Sequence, residues 1–155
     1  MTKIIAASTG TGKSTAAANS EGKVLDSDSD YFKYDRSGNQ KVQKSEWPQN
    51  FIEHPRAEMA AGTYDAVLIS AYGLLLPPIF AQVPITLVYP RLDMEAEMAA
   101  RYRGRGNKGA FLDMLLSNFD EWITGLMSIR HHNVTHRVLQ PGQYVGDILP
   151  EILTE

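Results

Sequence analysis

The stretch that decides the fold is residues 7–14, which read Ala-Ser-Thr-Gly-Thr-Gly-Lys-Ser. A short apolar run at 4–6 precedes it and a run of small residues follows, so the pattern predicts a strand, a tight turn and a helix. Gly10 and Gly12 permit the turn, in which successive backbone N–H groups point inward at an anion. The helix, from about Lys13, adds the positive end of its dipole. The stretch therefore predicts an anion-binding turn.

The composition narrows the class of protein. A chain of 155 residues is long enough for one domain with one sizeable core. The net charge of −3 argues against a mainly electrostatic nucleic-acid binder. The chain has no cysteine, which excludes disulfide and thiol chemistry and fits a cytoplasmic location. We expect no signal peptide, because the N-terminus enters a strand directly, and no membrane span, because Gly73, Pro77 and Pro78 interrupt the longest apolar stretch at 66–80.

Short apolar runs alternate with helical patterns along the chain, which predicts βαβ units and a parallel sheet. The predicted strands span 3–7, 23–26, 66–70, 85–89 and 133–139. The predicted helices span 13–19, 48–61, 72–82, 93–102, 109–130 and 142–153. The polar stretch 27–45 is predicted to be a loop.

Residues 7–14 resemble the P-loop, or Walker A motif, of nucleotide hydrolases and kinases, with Ala7 in place of the usual first glycine. The order of elements in the whole chain resembles small nucleoside and nucleotide kinases of the adenylate, thymidylate and shikimate kinase type, and the compact nucleotide kinases of bacteriophages. This resemblance implies an α/β P-loop NTPase fold, with a five-stranded parallel sheet of order 2-3-1-4-5 flanked by helices. It implies a single kinase domain over 1–155, a short lid at about 101–108 and an acceptor-binding region at about 27–60.

The resemblance also implies the cofactors ATP and Mg²⁺. Lys13 would reach the β- and γ-phosphates, and the Ser14 hydroxyl would bind Mg²⁺. The predicted nucleotide-binding residues are Thr9, Gly10, Thr11, Gly12, Lys13, Ser14 and Thr15. The alternative is a glycine-rich turn that binds nothing.

Three carboxylates follow the second predicted strand, in the sequence Asp26-Ser27-Asp28-Ser29-Asp30. The carboxyl ends of strands face the ligand crevice in a doubly wound sheet. Asp26 and Asp28 best match the acidic pair of the resembling kinases, as ligands of Mg²⁺ (Asp26 together with Ser14) or as the base that accepts the proton of an attacking hydroxyl. The alternative is a turn in which an aspartate caps the next segment.

The segment 101–108 carries four cations and two glycines. Arginine makes bidentate phosphate contacts, and glycines supply hinges for a mobile cover. Arg101 and Arg105 are the candidate lid arginines that would clamp the transferring phosphoryl group, as implied by the resemblance. The alternative is a solvated basic turn at a helix C-terminus.

Arg56 and Ser70, with Asp28, are the candidate substrate-binding residues. The resembling kinases often hold an acidic group of the acceptor with an arginine at the position of Arg56, although a helix-surface charge is an equal alternative. Ser70 stands where many P-loop hydrolases have the Walker B aspartate, which favours a kinase over a motor ATPase. The histidines at 131, 132 and 136 have poor spacing for a closed metal site.

We therefore predict a phosphotransferase that moves the γ-phosphoryl group of ATP to a small nucleotide-like acceptor, a (deoxy)nucleoside monophosphate in the leading interpretation. A second interpretation keeps the enzyme and changes the acceptor to a nucleoside or to a 5′-hydroxyl or hydroxymethyl group of a polynucleotide. A third is a non-catalytic ATP-binding module. The expected protein is a monomer or homodimer without a membrane partner.

Overall fold

The structure is a computed structural model that describes residues 1–38 and 40–155; Asn39, in the predicted acceptor-binding region, lies outside the described residues. Its strands are β1 (Lys3–Ala7), β2 (Val24–Ser27), β3 (Tyr34–Asp35), β4 (Val42–Gln43), β5 (Ala66–Ser70), β6 (Ile85–Pro90) and β7 (Val134–Leu139). Its helices are α1 (Lys13–Ala18), α2 (Ser29–Lys33), α3 (Gln49–Ala61), α4 (Leu76–Phe80), α5 (Glu95–Gly104), α6 (Gly109–Met127) and α7 (Val145–Leu153), with a 3₁₀ turn at Leu92–Met94 before α5.

Five strands form a parallel sheet in the order β2-β5-β1-β6-β7. The described residues form seven strands, two more than the predicted five, so the numbering of this order differs from the predicted 2-3-1-4-5. The additional strands, β3 and β4, form a separate antiparallel ribbon. They lie within 27–45, which was predicted to be a loop and which also contains α2.

Helices cover both faces of the sheet. The interior strands β1 and β5 are buried on both faces, because their side chains are almost all apolar. On one face α3, α4, α5 and α6 enclose a core that contains Phe51, Met98 and Phe119. On the other face the smaller core contains Ala16 of α1 and Ile152 of α7.

The structure corrects the bounds of the predicted lid. Residues 101–104 of the predicted lid are the last turn of α5, so the connection to α6 is only 105–108. Pro55 lies inside a continuous α3, which ends at Gly62 in the left-handed conformation, as helix ends commonly do. Among the described residues, no helix is both long enough and apolar enough to cross a bilayer.

Candidate functional site

Residues 8–12 connect β1 to α1 and are here named the glycine loop. Gly10 and Gly12 have φ values of 80° and 88°, a region that L side chains rarely adopt. Among the described residues, no acceptor receives a hydrogen bond from the backbone N–H groups of residues 9–14. A helix always leaves its first N–H groups free, but here the free groups begin four residues before α1. The glycine loop therefore presents an uninterrupted series of donors.

Two tyrosines lie against the glycines of the glycine loop. A methyl group on Gly10 would lie 2.8 Å from Cε1 of Tyr102 in α5, and one on Gly12 would lie 2.9 Å from Cδ1 of Tyr144. The carbonyl of Thr11 also accepts a hydrogen bond of 2.8 Å from the N–H of Val145, the first residue of α7. The loop is thus packed against α5 and against the segment before α7.

The ammonium group of Lys13 lies inside this loop, 3.1 Å from the carbonyl oxygen of Ala7 and 3.3 Å from that of Ser8. Burial lowers the pKa of Lys13 to about 8; the charges of Asp26 and Asp28 oppose this shift, and that of Arg105 adds to it. The Oγ of Ser8 is buried without a hydrogen-bond partner among the described residues. An anion bound in the loop would favour the protonated, positively charged form of Lys13.

Asp26 and Asp28, at the end of β2, differ in their surroundings. Asp26 is half-buried, and burial raises the pKa of its carboxyl group although the nearby Lys13 ammonium opposes the shift. Asp28 is exposed, and its Oδ1 accepts a hydrogen bond of 3.0 Å from the N–H of Asp30. Asp28 is therefore the N-cap of α2, which agrees with the capping alternative for this residue. The structure brings both aspartates near Lys13.

The guanidinium group of Arg101 is already engaged by protein groups. Its Nη2 lies 2.5 Å from a carboxylate oxygen of Glu97 and 2.8 Å from the carbonyl oxygen of Gln143, while its Nη1 lies 3.4 Å from the carbonyl oxygen of Gly10. Its Cζ lies 3.9 Å from the ring centre of Tyr144. Only 7% of the Arg101 side chain is exposed. A role for Arg101 as a clamp on a transferring group stays a prediction, and it would require exchange of these partners.

Arg105, the other candidate clamp, has no such partners among the described residues. It is exposed at the C-terminus of α5, and its positive charge lowers the pKa of Lys13. Arg103 is also exposed, in the last turn of α5. Arg105 is therefore the candidate clamp that is exposed and whose charge acts on Lys13.

The remaining predicted site residues differ in how close they lie to the glycine loop and to the end of β2. Ser70, at the end of β5, is in register with Ala7 and is partly buried beside the glycine loop. Arg56 is exposed on α3. It lies two residues after His54, whose ring faces β2, and a step of two residues turns a helix by about 200°. Arg56 is therefore directed away from the end of β2. Ser14 and Thr15 are exposed in the first turn of α1, beside the free N–H groups.

Sequence reasoning missed a contact between α3 and the acidic turn. The Nε2 of His54 lies 2.6 Å from the Oγ of Ser27, the buried residue between the two aspartates. The His54 ring also packs at 4.7 Å from the ring of Phe32. An isolated histidine in a helix gives no sequence signal for such a role. No group of three or more candidate metal-ligating side chains occurs in the part of the chain that the structure describes.

Comparisons with known proteins support the fold. No protein-family model matches the chain. No curated protein sequence matches it either. Among solved structures, the chain is similar to the crystal structure of an unliganded sugar kinase from Janibacter sp. HTCC2649, with a TM-score of 0.59 and 16% sequence identity. The similarity covers 99% of this chain and 92% of that chain. At this identity the comparison establishes a kinase-like α/β fold across the whole length.

Proposed function

We propose that the protein is a P-loop phosphotransferase that transfers the γ-phosphoryl group of ATP to a small nucleotide-like acceptor. The observation that carries the proposal is the series of N–H groups at residues 9–14, which have no acceptor in the part of the chain that the structure describes and which adjoin the ammonium of Lys13. A bound anion would satisfy these donors and would pair with the half-buried ammonium. The kinase-like fold of the Janibacter protein supports the same class of reaction.

The residues present fit a nucleoside triphosphate with its Mg²⁺. The orphaned Ser8 Oγ and the free N–H groups of the glycine loop are donors without acceptors, which phosphate oxygens would supply. Gly10 and Gly12 leave the backbone open to close approach, which a Cβ would obstruct. Ser14 would hold Mg²⁺, an ion that keeps several waters and takes few protein ligands. Bound there, the donor would supply the phosphoryl group and the ion would polarise it.

The chain's own residues then perform three tasks. Lys13 and the loop amides orient the triphosphate. Asp26 would accept the proton of an acceptor hydroxyl, and its raised pKa would make it a better base than an exposed aspartate. Arg105, which is exposed and whose charge acts on Lys13, would stabilise negative charge that develops on the transferring group.

The proposed class of acceptor rests on the resemblance of the sequence to small nucleotide kinases. The structural similarity to a sugar kinase adds sugars to the acceptors to be tested. The experiment is acceptor-dependent release of ADP from ATP and Mg²⁺, with nucleoside monophosphates, nucleosides, sugars and 5′-hydroxyl oligonucleotides supplied in turn. We expect ADP release that requires a monophosphate and is lost in Lys13→Met but kept in Lys23→Met, which changes an exposed lysine before β2. Slow ADP release that no acceptor increases would support a binding module instead.

A further inference from the structure

We infer that Arg101 is a positioning residue, which holds the glycine loop in its binding conformation together with Glu97, and that it is not a clamp on the transferring group. The inference rests on the proposed function, because the loop is the proposed phosphate site. It concerns how the loop is kept in shape before any ligand arrives.

The first step is the geometry of Arg101 itself. Its guanidinium group touches three separate segments: Glu97 on its own helix, the carbonyl of Gly10 in the glycine loop, and the carbonyl of Gln143 before α7. The plane of Tyr144 covers it at 3.9 Å. Arginine is suited to such a place, because its planar group donates in several directions and packs on aromatic faces.

The second step is the role of Glu97. Its carboxylate accepts from Arg101, and both its oxygens also lie 3.1 Å from the N–H of Gly142. One carboxylate therefore fixes the arginine and the turn that carries Gln143 and Tyr144. The i,i+4 spacing of Glu97 and Arg101 places both on the same face of α5.

The third step connects this network to the loop. Tyr144 is the side chain that meets Gly12, and Tyr102, the residue after Arg101, meets Gly10. The neighbouring Thr11 carbonyl is held by the N–H of Val145. Loss of the Arg101 guanidinium would release the Gly10 carbonyl, the Gln143 carbonyl and the face of Tyr144 together. The glycine loop would then sample conformations in which its N–H groups no longer converge.

A clamp and a positioning residue have opposite kinetic signatures. A clamp acts in the transition state, so its loss lowers kcat and leaves donor binding nearly unchanged. A positioning residue acts on the free protein, so its loss raises the apparent dissociation constant of the donor by the inverse of the fraction of time that the loop is correctly placed. The 7% exposure of the Arg101 side chain favours the second behaviour, since it leaves the guanidinium little access to a ligand.

The experiment compares Arg101→Met, which keeps a stem for Tyr144, with Arg103→Met, an exposed arginine of the same helix. Hydrogen exchange is measured on the free proteins, and ATP dissociation constants and kcat are measured well below each Tm. We expect Arg101→Met to increase exchange at the hydrogen-bonded N–H groups of Ser8 and of residues 142–145, to weaken ATP binding by about 10-fold or more, and to change kcat at saturating ATP by less than about 3-fold. Arg103→Met should match the wild type.

Glu97→Gln keeps an acceptor for the N–H of Gly142 but loses the negative charge, so it should reproduce part of the exchange and binding effects. The double variant Glu97→Gln with Arg101→Met should show effects on exchange and binding little larger than those of Arg101→Met alone. A fall in kcat of about 100-fold with unchanged exchange and binding would overturn the inference and restore the clamp. Unchanged exchange in a folded Arg101→Met would also overturn it. If wild-type protein fails to bind ATP, the proposed function fails, while the exchange experiment on the free protein still decides the role of Arg101.

Discussion

The Oγ of Ser27 and the Nε2 of His54 lie 2.6 Å apart, and this contact joins the end of β2 to helix α3. Ser27 is buried, and it lies between the two aspartates that face Lys13. A histidine on one helix thus fixes the position of the acidic turn. The bond also makes this turn sensitive to the protonation state of one imidazole ring.

We predict that protonation of His54 destabilises the protein in mild acid. Burial lowers the pKa of His54, and Glu58, 3.9 Å from its Nδ1, only partly opposes the shift. The unfolded chain therefore binds this proton more readily, so stability contributed by neutral His54 is lost as the pH falls from about 6.5 through the lowered pKa. Thermal denaturation between pH 5 and pH 8 should show this slope in the wild type and a smaller slope in His54→Gln. His132→Gln, at an exposed site, should keep the wild-type slope.

We predict that donor binding weakens above about pH 8. Because burial lowers the pKa of Lys13 to about 8, the free protein loses the ammonium proton above that pH, whereas a bound triphosphate requires it. The affinity for a non-hydrolysable ATP analogue should therefore fall by up to about tenfold per pH unit above the pKa. Calorimetric titration from pH 7 to pH 10 measures this fall. Lys13→Arg, which stays charged, should bind with no such slope, and an equal slope in this variant would contradict the assignment.

We predict that the two aspartates have different roles: Asp26 is the reactive carboxylate, and Asp28 is the N-cap of α2. Asp26→Asn should lower kcat by about 100-fold or more with little change in Tm, as expected for loss of a general base. It should also move the pH at which donor binding weakens to a lower value, because the charge of Asp26 raises the pKa of Lys13. Steady-state kinetics and binding titrations measure both effects.

Asp28→Ala serves as the matched change at the neighbouring carboxylate. Because Asp28 caps α2, its loss should reduce the free energy of unfolding by about 1 kcal/mol, the typical cost of a lost N-cap. Its kcat should fall less than that of Asp26→Asn. The reverse ranking of the two kcat values would place the base at Asp28.

Much of the fold could be predicted because its strands and helices have clear local sequence patterns. The strands at 3–7 and 66–70 were predicted with the observed bounds, since each is a short apolar run closed by polar or turn residues. The ribbon and α2 within 27–45 were missed because they are short, polar segments whose formation depends on packing. Phe32, for example, lies against Phe51 of α3 at 5.9 Å between ring centres.

The candidate site was predictable only where it is local in sequence. The glycine loop follows from consecutive residues, whereas the network around it joins positions far apart, such as Arg101 with Gln143. A sequence shows that an arginine is present but not which carbonyl it meets. The same limit explains why Tyr144, a wall of the loop, was not among the predicted residues.

We predict that Arg105 acts on the transferring group. Arg105→Ala should lower kcat by about 100-fold, because loss of a preorganised donor costs about 3 kcal/mol of transition-state stabilisation. The KM for ATP should change much less. Arg103→Ala is the control at an exposed arginine of the same turn of α5 and should retain wild-type kinetics. Equal effects of the two substitutions in steady-state assays would indicate a general contribution of positive charge and not a clamp.

We predict that Gly12→Ala abolishes donor binding while Gly22→Ala does not. Both glycines have φ near +80°, so both substitutions bear the cost of a left-handed alanine, about 1–2 kcal/mol. At Gly22 nothing lies within 4 Å of an added Cβ, whereas at Gly12 the Cβ would lie 2.9 Å from the ring of Tyr144. Tyr144 cannot move freely, since it lies against Arg101.

Binding titrations should show at least a 100-fold loss for Gly12→Ala and less than a 2-fold change for Gly22→Ala, with similar Tm changes from the backbone cost. Recovery of part of the binding in Gly12→Ala combined with Tyr144→Ala would attribute the difference to that contact, and equal losses in the two single variants would attribute it to backbone strain alone.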